Sequence, residues 1–175
     1  EASIPGLLKA LEHFPYVRGS AVDALRKLGS EASIPVLLKA LEDSDASVRR
    51  SAAEALGKLG SEAAIPGLLK ALEDADTDVR QSAIYALEDL NSEAIIPGLF
   101  KALEDSDASV RGRAAYVFGR AAYVLRKLGS EAAIAGLLKA LEDSDASVRW
   151  IAAEALVKLG SEAAIPGLLK ALKDS

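Results

Sequence analysis

The chain has 175 residues, half of them hydrophobic, with eight aromatics, one histidine and neither cysteine nor methionine; thiol catalysis, disulfide scaffolding, structural zinc and His-pair metal sites are thereby excluded. Twenty-one basic against 26 acidic side chains leave a net charge of −5, with no basic run, so the electrostatic footprint of a nucleic-acid binder is missing. The apolar half is mostly Ala and Leu, which predicts an all-α protein, and no apolar stretch is long enough to span a bilayer.

The start, EASIPGLLKALEH, has no basic leader of the signal-peptide kind. With Glu1 rather than Met, it reads as a processed or excised chain acting in the cytoplasm. Internal repetition then organises everything that follows. The segment 31–61 returns at 62–92, 93–130 and 131–161; a shorter version fills 1–30 and half a copy fills 162–175. The unit is 31 residues, and the second and fifth copies agree at 25 of 31 positions. Each copy predicts two helices joined by tight turns, giving about eleven helices: five hairpins and a terminal half repeat in one solenoid over 1–175. A single hairpin cannot bury its apolar stripe alone, so neighbours must stack.

In chain order, the first copy is the first irregular one. Glu12-His13-Phe14-Pro15-Tyr16-Val17-Arg18 stands where the second copy has EDSDASVR, one residue longer. His13, the only histidine, reads either as a ligand or pH-sensitive group or as part of a degenerate terminal repeat. The second reading is favoured, because terminal repeats are atypical.

The second copy shows the regular pattern. Ser30, like Ser61 after it, is placed to cap the first helix, with Glu31 or Glu62 in the first turn where negative charge suits the helix dipole. Pro35 recurs as Pro5, Pro66, Pro97 and Pro166, early in that helix where a missing N–H does least harm. Ile34, Leu37, Leu38 and Leu41 form its apolar stripe. Asp45 is the expected N-cap of the second helix, along which Val48, Ala52, Ala55, Leu56 and Leu59 share one face. Gly60 is the expected left-handed C-cap, and Asn91 replaces it in the third copy.

The fourth copy is seven residues longer, because RAAYVFG at 113–119 is followed by RAAYVLR at 120–126. Seven residues nearly preserve helical phase. Val110, Ala114, Val117, Phe118, Ala121, Val124, Leu125 and Leu128 therefore keep one stripe, and a continuous helix over 109–128 is favoured over a break at Gly119. The lengthening predicts that some of Val117, Phe118 and Val124 lack intramolecular cover, and hence a homodimer or strand exchange through this helix. The fifth copy alone has Ala135 in place of the proline. The final half copy leaves a first helix without its mate, which predicts an apolar edge suited to end-to-end contacts.

Second helices line one face of such a stack, and three of the six differences between copies two and five lie there, at 50, 51 and 57. Across the array this face carries Gly19, Ser20 and Asp23, then Arg50, Ser51 and Glu54, then Gln81, Ser82 and Tyr85. Arg113, Tyr116, Arg120 and Tyr123 follow, and Trp150, Ile151 and Glu154 complete it. Tyr, Trp and Arg are enriched among binding hot spots. The candidate protein-binding residues are accordingly Arg50, Gln81, Tyr85, Arg113, Tyr116, Arg120, Tyr123, Trp150 and Ile151. For Trp150 an equal alternative is that its ring folds back over the misfit left by the long helix. For Tyr116 and Tyr123 the alternative is duplication without purpose.

The run LLKALEDSDASVRRSAAEALGKLG resembles the HEAT-like repeat of the phycobilisome-lyase type, also used in consensus-designed helical-repeat binders. The resemblance covers essentially the whole chain and implies a right-handed α-α superhelix. It also implies an Asp/Arg ladder between neighbouring turns through Asp43 and Arg49, Asp74 and Arg80, Asp105 and Arg111, and Asp143 and Arg149. Each Arg would be held by carboxylates of its own and the adjacent unit. One similar family, deoxyhypusine hydroxylase, binds iron through His-Glu pairs. The matching pairs here are Gly19-Ser20, Arg50-Ser51, Gln81-Ser82, Gly112-Arg113 and Trp150-Ile151, and none is His-Glu. The expected function is a non-catalytic protein-binding scaffold without cofactor, metal, nucleic acid or membrane. A bilin-handling lyase-like component and an artificial repeat without an evolved ligand are the alternatives.

Overall fold

From α1 (Arg18–Leu28), the second arm of copy one, the chain alternates short and long helices. They are α2 (Ile34–Ala40), α3 (Ala46–Leu59), α4 (Ile65–Ala71), α5 (Thr77–Glu88) and α6 (Ile96–Ala102). The series continues with α7 (Ala108–Val124), α8 (Ser130–Ala140), α9 (Ala146–Leu159) and α10 (Ile165–Lys173). This computed structural model describes residues 6–7, 17–88, 90, 92–124, 130–160, 162 and 165–173, and for 121–124, 130–133 and 170–173 the backbone alone.

Proline decides how the short helices begin. It has no N–H for the carbonyl four residues back, and its ring crowds that carbonyl. Ahead of Pro35, Pro66 and Pro97 the chain is wound as 3-10 turns, Glu31–Ser33, Glu62–Ala64 and Glu93–Ile95, before the α-helix starts. Ala135 imposes no such break, and α8 runs unbroken from Ser130. The expected serine caps are not made: Ser30 and Ser61 hold the N-cap positions of the 3-10 turns without a side-chain capping bond. The aspartate caps are made. Asp45 accepts from the Ser47 N–H at 2.8 Å, and Asp145 repeats this with Ser147. Gly60 and Gly160 close their helices at φ 63° and 61°, in the left-handed region that favours glycine. Asn91 lies outside the described residues.

The chain forms two compact units, Glu1–Leu90 and Asn91–Ser175. In the first, α3 is packed between α1 and α5, with α2 and α4 each against the long helix of its own hairpin. Val48, Ala52, Ala55 and Leu56 are buried as their spacing predicts, and Ala53 joins them. In the second unit α7 packs on α9, with α6 and α8 against α7, and α8 also against α9. Gly119 does not break α7, which continues to Val124; residues 125–129 lie outside the described residues.

Of the three stripe residues expected to lack cover, Val117 and Phe118 are covered. Val117 and Phe118 are each only 1 % exposed. Phe100 of α6 meets Phe118 edge to face, ring centroids 4.8 Å apart, so the neighbouring short helix supplies the cover. The Val124 side chain lies outside the described residues. Among described residues an apolar edge does occur at the last hairpin, where Val157, Ile165 and Leu169 are exposed.

Neighbouring hairpins are tied by arginine. Arg49 grips Asp74 of the next copy with Nε and Nη2, both at 2.7 Å, while Nη1 donates to the Asp43 backbone carbonyl at 2.8 Å. Arg111 does the same to Asp143, at 2.6 and 2.8 Å, and to the Asp105 carbonyl at 2.9 Å. The own-unit partner is thus a backbone carbonyl rather than the implied carboxylate. That carbonyl ends the turn after the short helix, and it needs a donor. The guanidinium fork serves two hairpins at once.

Candidate protein-binding groove

Copies two and four have glycine at the same repeat position, Gly57 and Gly119, where the third has Glu88 and the fifth Val157. Each glycine lets the next long helix come close. A Cβ on Gly57 would lie 2.7 Å from Ala86 Cα, and one on Gly119 would lie 2.5 Å from Ala155 Cβ. Two turns earlier on α7, Gly112 leaves room for Ile151, whose Cδ1 would stand 3.3 Å from a Cβ there. Gly112 and Gly119 thus form a side-chain-free seam on α7 against which Val148, Ile151 and Ala155 of α9 are seated.

Beside this seam, on the outward side, lies a groove of about 390 Å³. Gly119, Ala155 and Ile151 provide an apolar floor, and Tyr116, Arg120, Glu154 and Lys158 form the walls. Its size is within the range of ligand pockets, about 300–1,000 Å³. The Arg113 guanidinium carbon sits 5.3 Å from the centre of the Tyr116 ring, a cation–π contact that steadies the ring. Glu154 accepts from Lys158 at 2.6 Å, and this bond raises the Lys158 ammonium above its ordinary value. A cleft of about 950 Å³ lies in the first unit, near Asp43, Arg49, Asp74 and Pro66. Its Arg49–Asp74 pair is committed to holding hairpins together, so it offers little unassigned chemistry.

A family description decides what this scaffold is: HEAT repeats match residues 4–88, 65–120 and 96–175. The chain belongs to the HEAT repeat family. No curated protein sequence matches it. Among solved structures, an engineered protein is similar at 25% identity and TM-score 0.65, over 96% of this chain and 84% of that one. The complex of CpcE and CpcF of phycocyanin lyase from Nostoc sp. PCC7120 is similar at 30% identity and TM-score 0.68. That match covers 90% of this chain and 65% of the other. A designed armadillo repeat protein in complex with the peptide (KR)4 shares the fold at 23% identity and TM-score 0.65, over 95% and 90%. All-α solenoid architecture is common to these neighbours and this HEAT repeat chain.

Within the HEAT frame the candidate residues fall into two groups. Tyr116, Arg120 and Ile151 come together in the α7–α9 groove, with Arg113 against Tyr116. Trp150 is 66 % exposed, so its ring lies in solvent and is not folded back over the long helix. The Tyr123 side chain lies outside the described residues, as does His13. In the first unit Tyr85 is half exposed and Gln81 half-buried, whereas Ser82, read as part of the face, is buried. Arg50 stands 4.0 Å from Glu54 and 3.8 Å from Asp78, and Arg26 reaches Asp23 at 2.9 Å and Glu54 at 3.6 Å. That outward side is thus a line of alternating charges that largely neutralise one another.

Sequence reading missed Gly119, Ala155 and Lys158 as groove residues. Their membership depends on which positions of two helices face each other across about thirty residues of chain. A usable signal was present: glycine recurs at one repeat position in copies two and four, each time opposite an alanine of the copy that follows.

Proposed function

We propose that this HEAT repeat chain is a non-catalytic protein-binding scaffold whose contact surface is the outward side of its long helices, centred on the α7–α9 groove. The observation that carries the reading is the juxtaposition of Tyr116 and Ile151 over the Gly119–Ala155 floor, within a scaffold that otherwise repeats. At the same repeat positions, copies two and three have Glu54 and Ser82. The backbone geometry is kept while the lining turns from polar to apolar, which is how a repeat scaffold specialises one site. Among the described residues, Asp45 and Asp145 cap helices and Asp74 and Asp143 bind arginine, so these recurring carboxylates have structural duties in place of acid–base chemistry. The bilin-handling alternative is supported by the likeness to CpcE–CpcF alone.

The test is selection from a displayed library of random peptides on the whole chain. Selected peptides are then measured against Tyr116→Ala/Ile151→Ser, whose fold is checked by circular dichroism. Loss of a hot-spot pair should weaken binding at least about tenfold. Failure to enrich any peptide, or binders indifferent to the double variant, would overturn the reading.

A further inference from the structure

One device recurs where short helices meet. Leu38 of α2 is seated against Gly67 of α4, Phe100 of α6 against Gly136 of α8, and Leu138 of α8 against Gly167 of α10. A Cβ on Gly136 would lie 2.8 Å from Phe100 Cε1, and one on Gly67 or Gly167 would overlap the leucine Cδ2. The large side chain is a knob, and the glycine is the slot that admits it.

Two halves of this device stand apart in the chain. Leu169, at the repeat position of Leu38, Phe100 and Leu138, is 54 % exposed. Ile165, one turn earlier on α10, is 51 % exposed, although its counterparts Ile34, Ile65 and Ile134 are buried. Gly6 has the repeat position of Gly67, Gly136 and Gly167, and nothing lies within 4 Å of where its Cβ would stand. It opens on a cleft of about 550 Å³ lined with Leu7, Ala24, Lys27 and Leu28. Ala24 is half-buried there, whereas its counterparts Ala55, Ala86 and Ala155 are buried.

From these observations we infer that a second copy of this chain seats its Gly6 cleft on Leu169 and Ile165, repeating between molecules the joint made within one. Knob and slot come from one repeat unit, so the surface that fits Leu169 is already present on every molecule. Pairing removes both apolar faces from water. Val157 stands where Gly57 and Gly119 admit the next long helix, so the long helices approach less closely here and the joint is weaker than the internal ones. At the rim of those internal joints Glu42 pairs with Lys70 and Glu104 with Lys139. By repeat position Lys173 and Lys9 take these places between copies, a like-charge pair that salt screens. The surface is separate from the α7–α9 groove, and the inference does not depend on the protein-binding reading.

Sedimentation of the whole chain up to about 1 mM tests it. The average mass should rise above that of a monomer with concentration, and rise further at high salt. Gly6→Ile fills the slot where the monomer has space, and Leu169→Glu removes the knob at an exposed position. Circular dichroism checks that both variants fold. Each variant alone should remain monomeric, because one half of every contact is missing. An equimolar mixture should form a pair and stop there, since Gly6→Ile keeps the knob and Leu169→Glu keeps the slot. A wild-type chain that stays monomeric, a single variant that still self-associates, or a mixture that does not pair would overturn the inference.

Discussion

Arg111 and Asp143 show how much one residue pair does in this fold. The carboxylate accepts two guanidinium N–H groups and, through Oδ1, the backbone N–H of Asp145 at 2.8 Å, all in a nearly buried position. The Arg111 hydrogen bond is the main cause holding the Asp143 carboxyl below its ordinary value of 3.8, and Asp74 is lowered in the same way by Arg49. A carboxyl whose folded value is depressed stabilises the fold above its unfolded value, and the contribution is lost as pH falls through the folded value. Asp143→Asn should therefore cost about 1–3 kcal/mol at neutral pH, as for a hydrogen bond to a charged group. The gap between variant and wild type should close as pH drops well below 3.8. Urea midpoints measured across that range check this; a gap that persists in acid would exclude the pair as its source. The Asp/Arg spacing was legible in sequence, but the backbone carbonyl as the second acceptor was not. Only a folded turn presents that oxygen to the next helix.

At the scale of elements, the crossing of α7 and α9 is decided by a glycine that local propensity disfavours. Glycine costs about 1 kcal/mol in a helix interior relative to alanine. On propensity alone, Gly119→Ala should stabilise the chain. A Cβ there would lie 2.5 Å from that of Ala155, however, and such overpacking costs about 1–3 kcal/mol. The expected net result is destabilisation by about 1 kcal/mol in urea denaturation. Gly19→Ala in α1, with nothing within 4 Å of the added Cβ, should be neutral or stabilising. If Gly119→Ala stabilised instead, the close approach would not exist. The helix continues through Gly119 to Val124, because the seven-residue duplication preserves its hydrophobic phase. At Phe118 the stripe is covered because Phe100 replaces the Leu of other copies, and its larger ring packs against Phe118.

For the whole molecule, stability is expected to be a sum over hairpins and their nearest-neighbour contacts. Among the described residues, glycine lets long helices approach closely in each compact unit, Gly57 in Glu1–Leu90 and Gly112 with Gly119 in Asn91–Ser175. Gly57→Val should then loosen mainly residues 18–88, and Gly119→Val mainly 92–160. Native-state amide exchange would report this as a protection loss of about ten- to hundredfold in the affected unit. Equal losses in both units would show one cooperative fold instead. A repeat array lets one pair of copies specialise while the others keep the scaffold.

By itself, the sequence determined the repeat length, the stacked helical hairpins, the aspartate caps and the buried stripes. These follow from local signals, apolar spacing at 3.6 residues, Asp and Gly at helix ends and Pro at helix starts, and repetition multiplied each signal several times. The tertiary structure alone decided that Phe118 is covered, that Trp150 stands in solvent and that Tyr116, Arg120, Ile151 and Lys158 share a groove. Those outcomes depend on how near two helices come, and a missing Cβ at Gly119 governs that distance only when the facing residue is known to be Ala155.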